Sequence, residues 1–236
     1  SRTVPFVAKA KGCPWSRIAA KVMMGSSLDE LGTKEISETG FFAVKEPCFP
    51  FEKFPGVDVV LGPEMRSTGE AMGMDRSLPV ALAKAKMSVS RSLPTSGQVF
   101  LSIRESDKSQ AVEVARTLVS MGFTVFTTSG TRDFISSHSV DTELICKISE
   151  GARPNILDKI ANNEIDLIIN TPTRTGAKTD EGQIRAMAVG ARVPMITTIT
   201  GARAAVAAIE ALRGGAWHVA ALQDYYEEPV AVKTTS

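Results

Sequence analysis

The chain has 236 residues, with 27 Lys+Arg against 26 Asp+Glu, 43% hydrophobic residues and 6% aromatic ones. It is long enough for one large domain or two modest ones, each with a buried core. A formal charge of +1 with both signs interspersed gives no electrostatic footing for nucleic acid or an anionic membrane surface. No apolar run approaches the roughly 18 residues of a membrane span. Cys13, Cys48 and Cys146 lie far apart without a Cys-x-x-Cys spacing and read as reduced thiols of a cytoplasmic protein. His138 and His218 lack the carboxylate spacing of a zinc site. The opening Ser1 stands inside an apolar phrase, as in a piece of something longer.

Residues 1–92 are irregular. Pro14 to Met24 has helical spacing, with Ile18, Ala19, Val22 and Met23 on one stripe, and Gly25 and Gly32 follow as breakers. Phe41-Phe42-Ala43-Val44 reads as a strand. The run 49–70 carries Pro50, Pro55 and Pro63 with Gly56, Gly62 and Gly69, too many for a long helix or a central strand. Pro79 to Met87 is Ala-rich and predicted helical. The Ser/Pro/Gly-rich stretch 88–97 marks a boundary, placed as a linker at 93–97.

From Gln98 the pattern changes. Strand-like runs at 99–103, 123–128, 143–148, 166–170 and 195–199 alternate with helical ones at 107–122, 131–138, 155–162, 181–191 and 201–215. Five such repeats predict a doubly wound α/β domain around a parallel five-stranded sheet. Gly122 and Gly214-Gly215 sit where helix C-caps belong.

In such a sheet ligands bind beyond the carboxyl ends of the strands. Those positions hold Arg104-Glu105-Ser106-Asp107-Lys108, then Thr127-Thr128-Ser129-Gly130-Thr131, then Lys147 followed by Ser149 to Pro154. Asn170-Thr171-Pro172-Thr173 and Thr197-Thr198 end the last two strands. Hydroxyls, Gly, Lys and Asn recur there, and the TTSGT loop opening a helix suits a phosphate, with Lys108 and Lys147 supplying charge. The plain alternative is that Ser and Thr before helices only cap them. No G-x-x-x-x-G-K-[ST] or G-x-G-x-x-G motif is present. Catalytic constellations are thin: there is no G-x-S-x-G elbow. Cys146 reads as mid-strand core, and His218 as packing beside Trp217. Asp107, Glu150 and Asp180 are loop carboxylates with the option of acting as bases. Met65, Met72 and Met74 read as surface or interface packing.

RTVPFVAKAKG (2–12), KFPGVDVVLGPEMRSTGEAMG (53–73) and the α/β domain after them resemble the carboxy-terminal part of the carbamoyl-phosphate synthetase large subunit. The resemblance implies that residues 1–92 are the tail of the second ATP-grasp module and 98–236 a methylglyoxal-synthase-like allosteric domain. It also implies a parent ligase that makes carbamoyl phosphate from bicarbonate, glutamine-derived ammonia and two ATP, for pyrimidine and arginine synthesis. ATP, Mg2+ or Mn2+ and K+ would serve the intact enzyme, and none the fragment. The partners implied are the rest of the large subunit and a small glutamine-amidotransferase subunit, with a homo-oligomer left open. The metal-binding Glu and Asn that precede RTVPF in the family are missing before Ser1, so the piece alone is expected to be inactive, with Arg2 a relic of the active site.

By the same resemblance, a UMP-type nucleotide, or IMP, would bind through Lys108, Thr128, Gly130, Thr131, Lys147, Asn170, Thr171 and Thr173. Pro172 and the extra Ala152 depart from the family's loops. Ornithine would meet Glu46 and Thr197, although Met195 replaces a family tyrosine. An N-acetylglutamate-type effector and a methylglyoxal-synthase-type phosphate lyase are the alternatives. The lyase requires an Asp base after the third strand and a nearby His, and that loop reads SEGARPN.

Overall fold

The computed structural model describes residues 3–33, 39–53, 66–89, 92–173, 179–215 and 217–226. Helices α1 (Thr3–Lys11) and α2 (Trp15–Met23) come first. Strands β1 (Phe42–Cys48) and β2 (Gly69–Asp75) then form an antiparallel pair, in register from Phe42 opposite Asp75 to Cys48 opposite Gly69, and α3 (Leu78–Val89) follows. A 3₁₀ turn at Phe51–Lys53 follows β1.

The sequence pattern did not show β2, and the reason is Gly73. A Cβ there would lie 2.0 Å from the Ala81 carbonyl oxygen and 2.4 Å from the Ala85 nitrogen. Helix α3 therefore rests directly on the strand backbone, and the small residues that permit this contact remove the usual strand signature. Met74, read from sequence as surface or interface packing, is instead buried at 6% exposure. Helix α1 was likewise not expected. A small core of Cys13, Ile18 and Leu31 ties α2 to the segments on either side of it, and burial pushes the Cys13 thiol above its ordinary pKa.

The rest is the α/β domain. Its elements are β3 (Gln98–Ser102), α4 (Lys108–Ser120), β4 (Thr124–Thr127), α5 (Ser129–Ser136) and β5 (Glu143–Leu144). Next come α6 (Ile156–Ala161), β6 (Leu167–Asn170), α7 (Asp180–Gly190), β7 (Met195–Ile196) and α8 (Ile199–Arg213). All five strands run parallel in the order β5-β4-β3-β6-β7. The central strands are apolar on both faces, as a sheet covered by helices on both sides requires. Val99 and Leu101 pack with α4, α5 and α8, whereas Phe100 and Ile168 pack with α6 and α7.

Two expectations shrink. The third strand of the sheet is only Glu143–Leu144, so Cys146 is not mid-strand core. It is half-buried and makes an isolated bridge to Asn155, while Ile145 is the residue that enters the core. The last strand is Met195–Ile196, because Thr198 caps α8 by accepting the Gly201 N–H at 3.1 Å.

Among the described residues the two halves touch at several points. Helix α3 packs on α8, and its Ala83, together with Leu93, joins the core of the sheet. Helix α7 packs on the Phe51–Lys53 turn. Residues 217–226 return to the first half: Tyr225 Oη donates to the Met74 carbonyl at 2.9 Å, Tyr226 Oη bonds the Lys9 carbonyl, and both rings meet Phe41 edge-on. His218, expected to pack, is exposed.

Candidate functional site

The strand order reverses between β3 and β6, and a crevice at such a switch point is where doubly wound sheets bind ligands. A cavity of about 700 Å³ opens there. Its floor is apolar, formed by Phe100, Ile156 and Ile184 on the α6/α7 face of the sheet. Ser102 and Asn170 sit two residues beyond Phe100 and Ile168, in register with each other, and strand alternation puts them on that same face.

Polar groups come from four loops. The loop after β3 supplies Arg104, Glu105 and Lys108; the start of α5 supplies Thr128, Gly130 and Thr131. Lys147 and Ser149 come from the loop after β5, and Thr173, Thr179, Asp180 and Glu181 from the loop after β6 and the start of α7. Six of the eight residues expected to hold an effector thus share one cavity. Asn170 and Thr171 do not line it, although Asn170 pairs in register with the lining Ser102 and Thr171 bonds the lining Arg104.

Capping geometry separates the hydroxyls. Thr179 and Thr198 cap their own helices, accepting from Gly182 and Gly201 at 3.0 and 3.1 Å. Thr128 is the N-cap residue of α5 and makes no such bond. Its hydroxyl is therefore left for something else, at the positive end of a helix. Thr131 Oγ1 accepts only a long 3.4 Å bond from the Ile103 N–H, which leaves its proton to donate. Thr171 is structural: its Oγ1 accepts the Arg104 N–H at 2.9 Å, tying the end of β6 to the loop after β3. Asn170 is fully buried, and neither atom of its amide finds a hydrogen-bond partner. Such an orphaned amide is costly in a folded chain and typical of a site that a ligand or water completes.

The charges are mixed. Lys108 Nζ lies 2.6 Å from Glu105 and 5.8 Å from the Phe134 ring centroid. Arg104 binds both oxygens of Asp107, at 2.8 and 3.1 Å. Asp107 is buried by this pairing, so it is not the available loop base that the sequence offered. Glu150 is also occupied, accepting the Lys147 N–H at 3.1 Å, and Asp180 accepts the Ser149 N–H at the same distance. The Lys147 ammonium has no ion pair among the described residues, and its side chain is exposed. Neither histidine lines the cavity.

The remaining expected residues lie elsewhere. Glu46, on β1, is held by Lys86 of α3, and Thr197 follows β7 half-buried. Neither lines this cavity or a second one, of about 420 Å³, bounded by α1, β2, Lys84 and residues 217–225. Arg2 lies outside the described residues, as do 62–65 of the GPEMRSTGE phrase. The sequence pattern missed the apolar floor and Glu181. Phe100, Ile156 and Ile184 look like ordinary core until the sheet order places them under the loops.

An MGS-like domain is matched by residues 110–197. The carbamoyl phosphate synthase large chain of Archaeoglobus fulgidus is 50% identical over 229 residues, 97% of this chain and 21% of the relative. Those of Nostoc and Methanothermobacter thermautotrophicus are 45% and 46% identical over 225 and 226 residues, 95% and 96% of this chain. The chain spans only 20% and 21% of those two relatives. Over nearly its whole length the chain is thus similar to about a fifth of these carbamoyl phosphate synthase large chains, and residues 110–197 carry an MGS-like domain.

Proposed function

We propose that this chain is the regulatory part of a carbamoyl phosphate synthase large chain and that the cavity at the β3/β6 switch point seats an allosteric effector bearing a phosphate monoester, of the UMP type. One observation carries the reading. Donors with no capping duty, Thr128, Thr131 and Lys147, converge with Lys108 and the Gly130 turn on a cavity beside an unpaired buried Asn170. Directed hydroxyls, backbone N–H groups and ammonium groups are what a phosphate dianion recruits. The apolar floor suits a base, and Asp180 and Glu181 suit hydroxyl donors of a ribose. IMP is the close competitor.

In this reading the parent is an ATP-dependent ligase acting with a glutamine-amidotransferase subunit, in the cytoplasm, for pyrimidine and arginine synthesis. Residues 1–92 are the end of its second ATP-grasp module, 93–97 a linker and 98–236 the effector domain. Among the described residues no group of three or more His, Cys, Asp and Glu is placed to hold a metal ion, and no described helix is long and apolar enough to cross a membrane. ATP, Mg2+ or Mn2+ and K+ are assigned to the rest of the parent. With Glu46 already paired to Lys86, ornithine ranks behind the nucleotide.

Calorimetric titration with UMP tests the proposal, with IMP, ornithine, N-acetylglutamate and inorganic phosphate alongside. Saturable UMP binding is expected, weakened about tenfold or more by Thr131→Ala or Lys147→Ala, the usual worth of a hydrogen bond to a charged group. Absence of binding by every phosphate compound, or binding indifferent to both substitutions, would refute it.

A further inference from the structure

The loop entering α4 presents two cations, each already held by a carboxylate. Arg104 is locked: Asp107 grips it through both oxygens and is itself only 5% exposed, so it has nowhere to swing. Lys108 is held differently. Its partner Glu105 has a side chain 83% exposed, on a single 3₁₀ turn, whereas Lys108 is 14% exposed and fixed against the Phe134 ring. The lysine is the enclosed member of the pair and the glutamate the exposed one.

Lys108 is also the first residue of α4, where a cation opposes the helix dipole and needs an anion beside it. Glu105 supplies that anion. The ammonium lies about a van der Waals contact, 4.0 Å, from where a Cβ on Gly130 would stand, so it borders the turn that opens α5. An anion seated at that turn reaches the same ammonium that Glu105 occupies.

We infer that Glu105 is an exchangeable counter-ion of the cavity: it holds Lys108 when no ligand is bound, and an incoming anion must displace it. The carboxylate then swings into water, and Lys108 exchanges one anion for another. This rests on the phosphate reading of the cavity. Glu105 thereby sets affinity and favours dianions, which outbid a single carboxylate, over monoanions.

Exposed ion pairs contribute little, so the effect is modest. Glu105→Gln is expected to bind UMP and inorganic phosphate about two- to fivefold more tightly than the unmodified chain. The gain must vanish when the substitution is made in a Lys108→Met background, because no ammonium is then left to release. Unchanged or weaker binding by Glu105→Gln, beside a wild-type chain that binds, overturns the inference and leaves the cavity assignment standing. A gain that persists without Lys108 also overturns it, as a mere change of net charge. If neither wild type nor Glu105→Gln takes up a phosphate compound, the phosphate reading fails and the inference falls with it.

Discussion

On the proposed effector reading, Asn170 is the residue on which fold and ligand make opposite demands. A fully buried amide with both atoms unpaired destabilises the chain by about 1–3 kcal/mol relative to an apolar group of similar shape. Asn170→Leu is therefore expected to leave Tm unchanged or raised while UMP affinity falls about tenfold. Thermal unfolding and calorimetry on the same variant check both halves. A drop in Tm with unchanged binding would mean that the amide serves the fold. Sequence marked Asn170 by its place after an apolar run, and marked Thr128 and Thr131 by a hydroxyl-rich turn. Which hydroxyls were spoken for was not visible there, because Thr128, Thr179 and Thr198 look alike before a helix and only bonding separates them.

Among the elements, the junction of β2 and α3 depends on one pair. Burial works to raise the Asp75 carboxyl, but hydrogen bonds from Lys84 and the Ser77 N–H outweigh it, aided by the charges of Lys84 and His218, and hold it below its ordinary value. Lys84 is opposed by its own burial and raised above its ordinary value by Asp75 and Tyr225. A depressed carboxyl stabilises the fold above its unfolded pKa and loses that contribution as pH falls through its folded one. The junction should therefore weaken in acid, below the ordinary carboxylate range, and again in strong alkali above the ordinary lysine value. Lys84→Met should cost about 3 kcal/mol or more, leaving a buried carboxylate unpaired, and should flatten the acid limb. Denaturant midpoints against pH measure both.

The same scale shows where sequence reading succeeds and fails. The central strands, apolar on both faces, and the amphipathic α4 and α8 are legible because burial alone dictates them. β2 is not, because its decisive feature is a close approach at Gly73 whose partner lies eight residues on. The short β5 ends early as the chain turns into the Ile148–Glu150 3₁₀ turn, a local preference that a β-rich run conceals.

At the scale of the molecule, α7 joins the cavity to the first half. Thr179, Asp180, Glu181 and Ile184 line the cavity, and the helix rests on the Phe51–Lys53 turn, with Arg185 fully buried. A ligand that differs in its contacts with α7 between two arrangements shifts the balance between them. Saturating UMP is thus expected to slow amide exchange at 51–53 as well as at 180–184, and Phe51→Ala to remove the first effect while sparing the second. Hydrogen-exchange mass spectrometry reads both.

The returning segment 217–226 bears on how any such motion can proceed. Two bodies joined by one tether turn about it in every direction. Here the chain crosses once between Val89 and Gln98 and comes back at Tyr225 and Tyr226, which fasten to Met74 and Lys9. Two attachment points leave a line rather than a point to pivot on, and with α3 packed on α8 and Ala83 set in the core of the sheet, the first half is held against the α/β domain rather than free to turn on it.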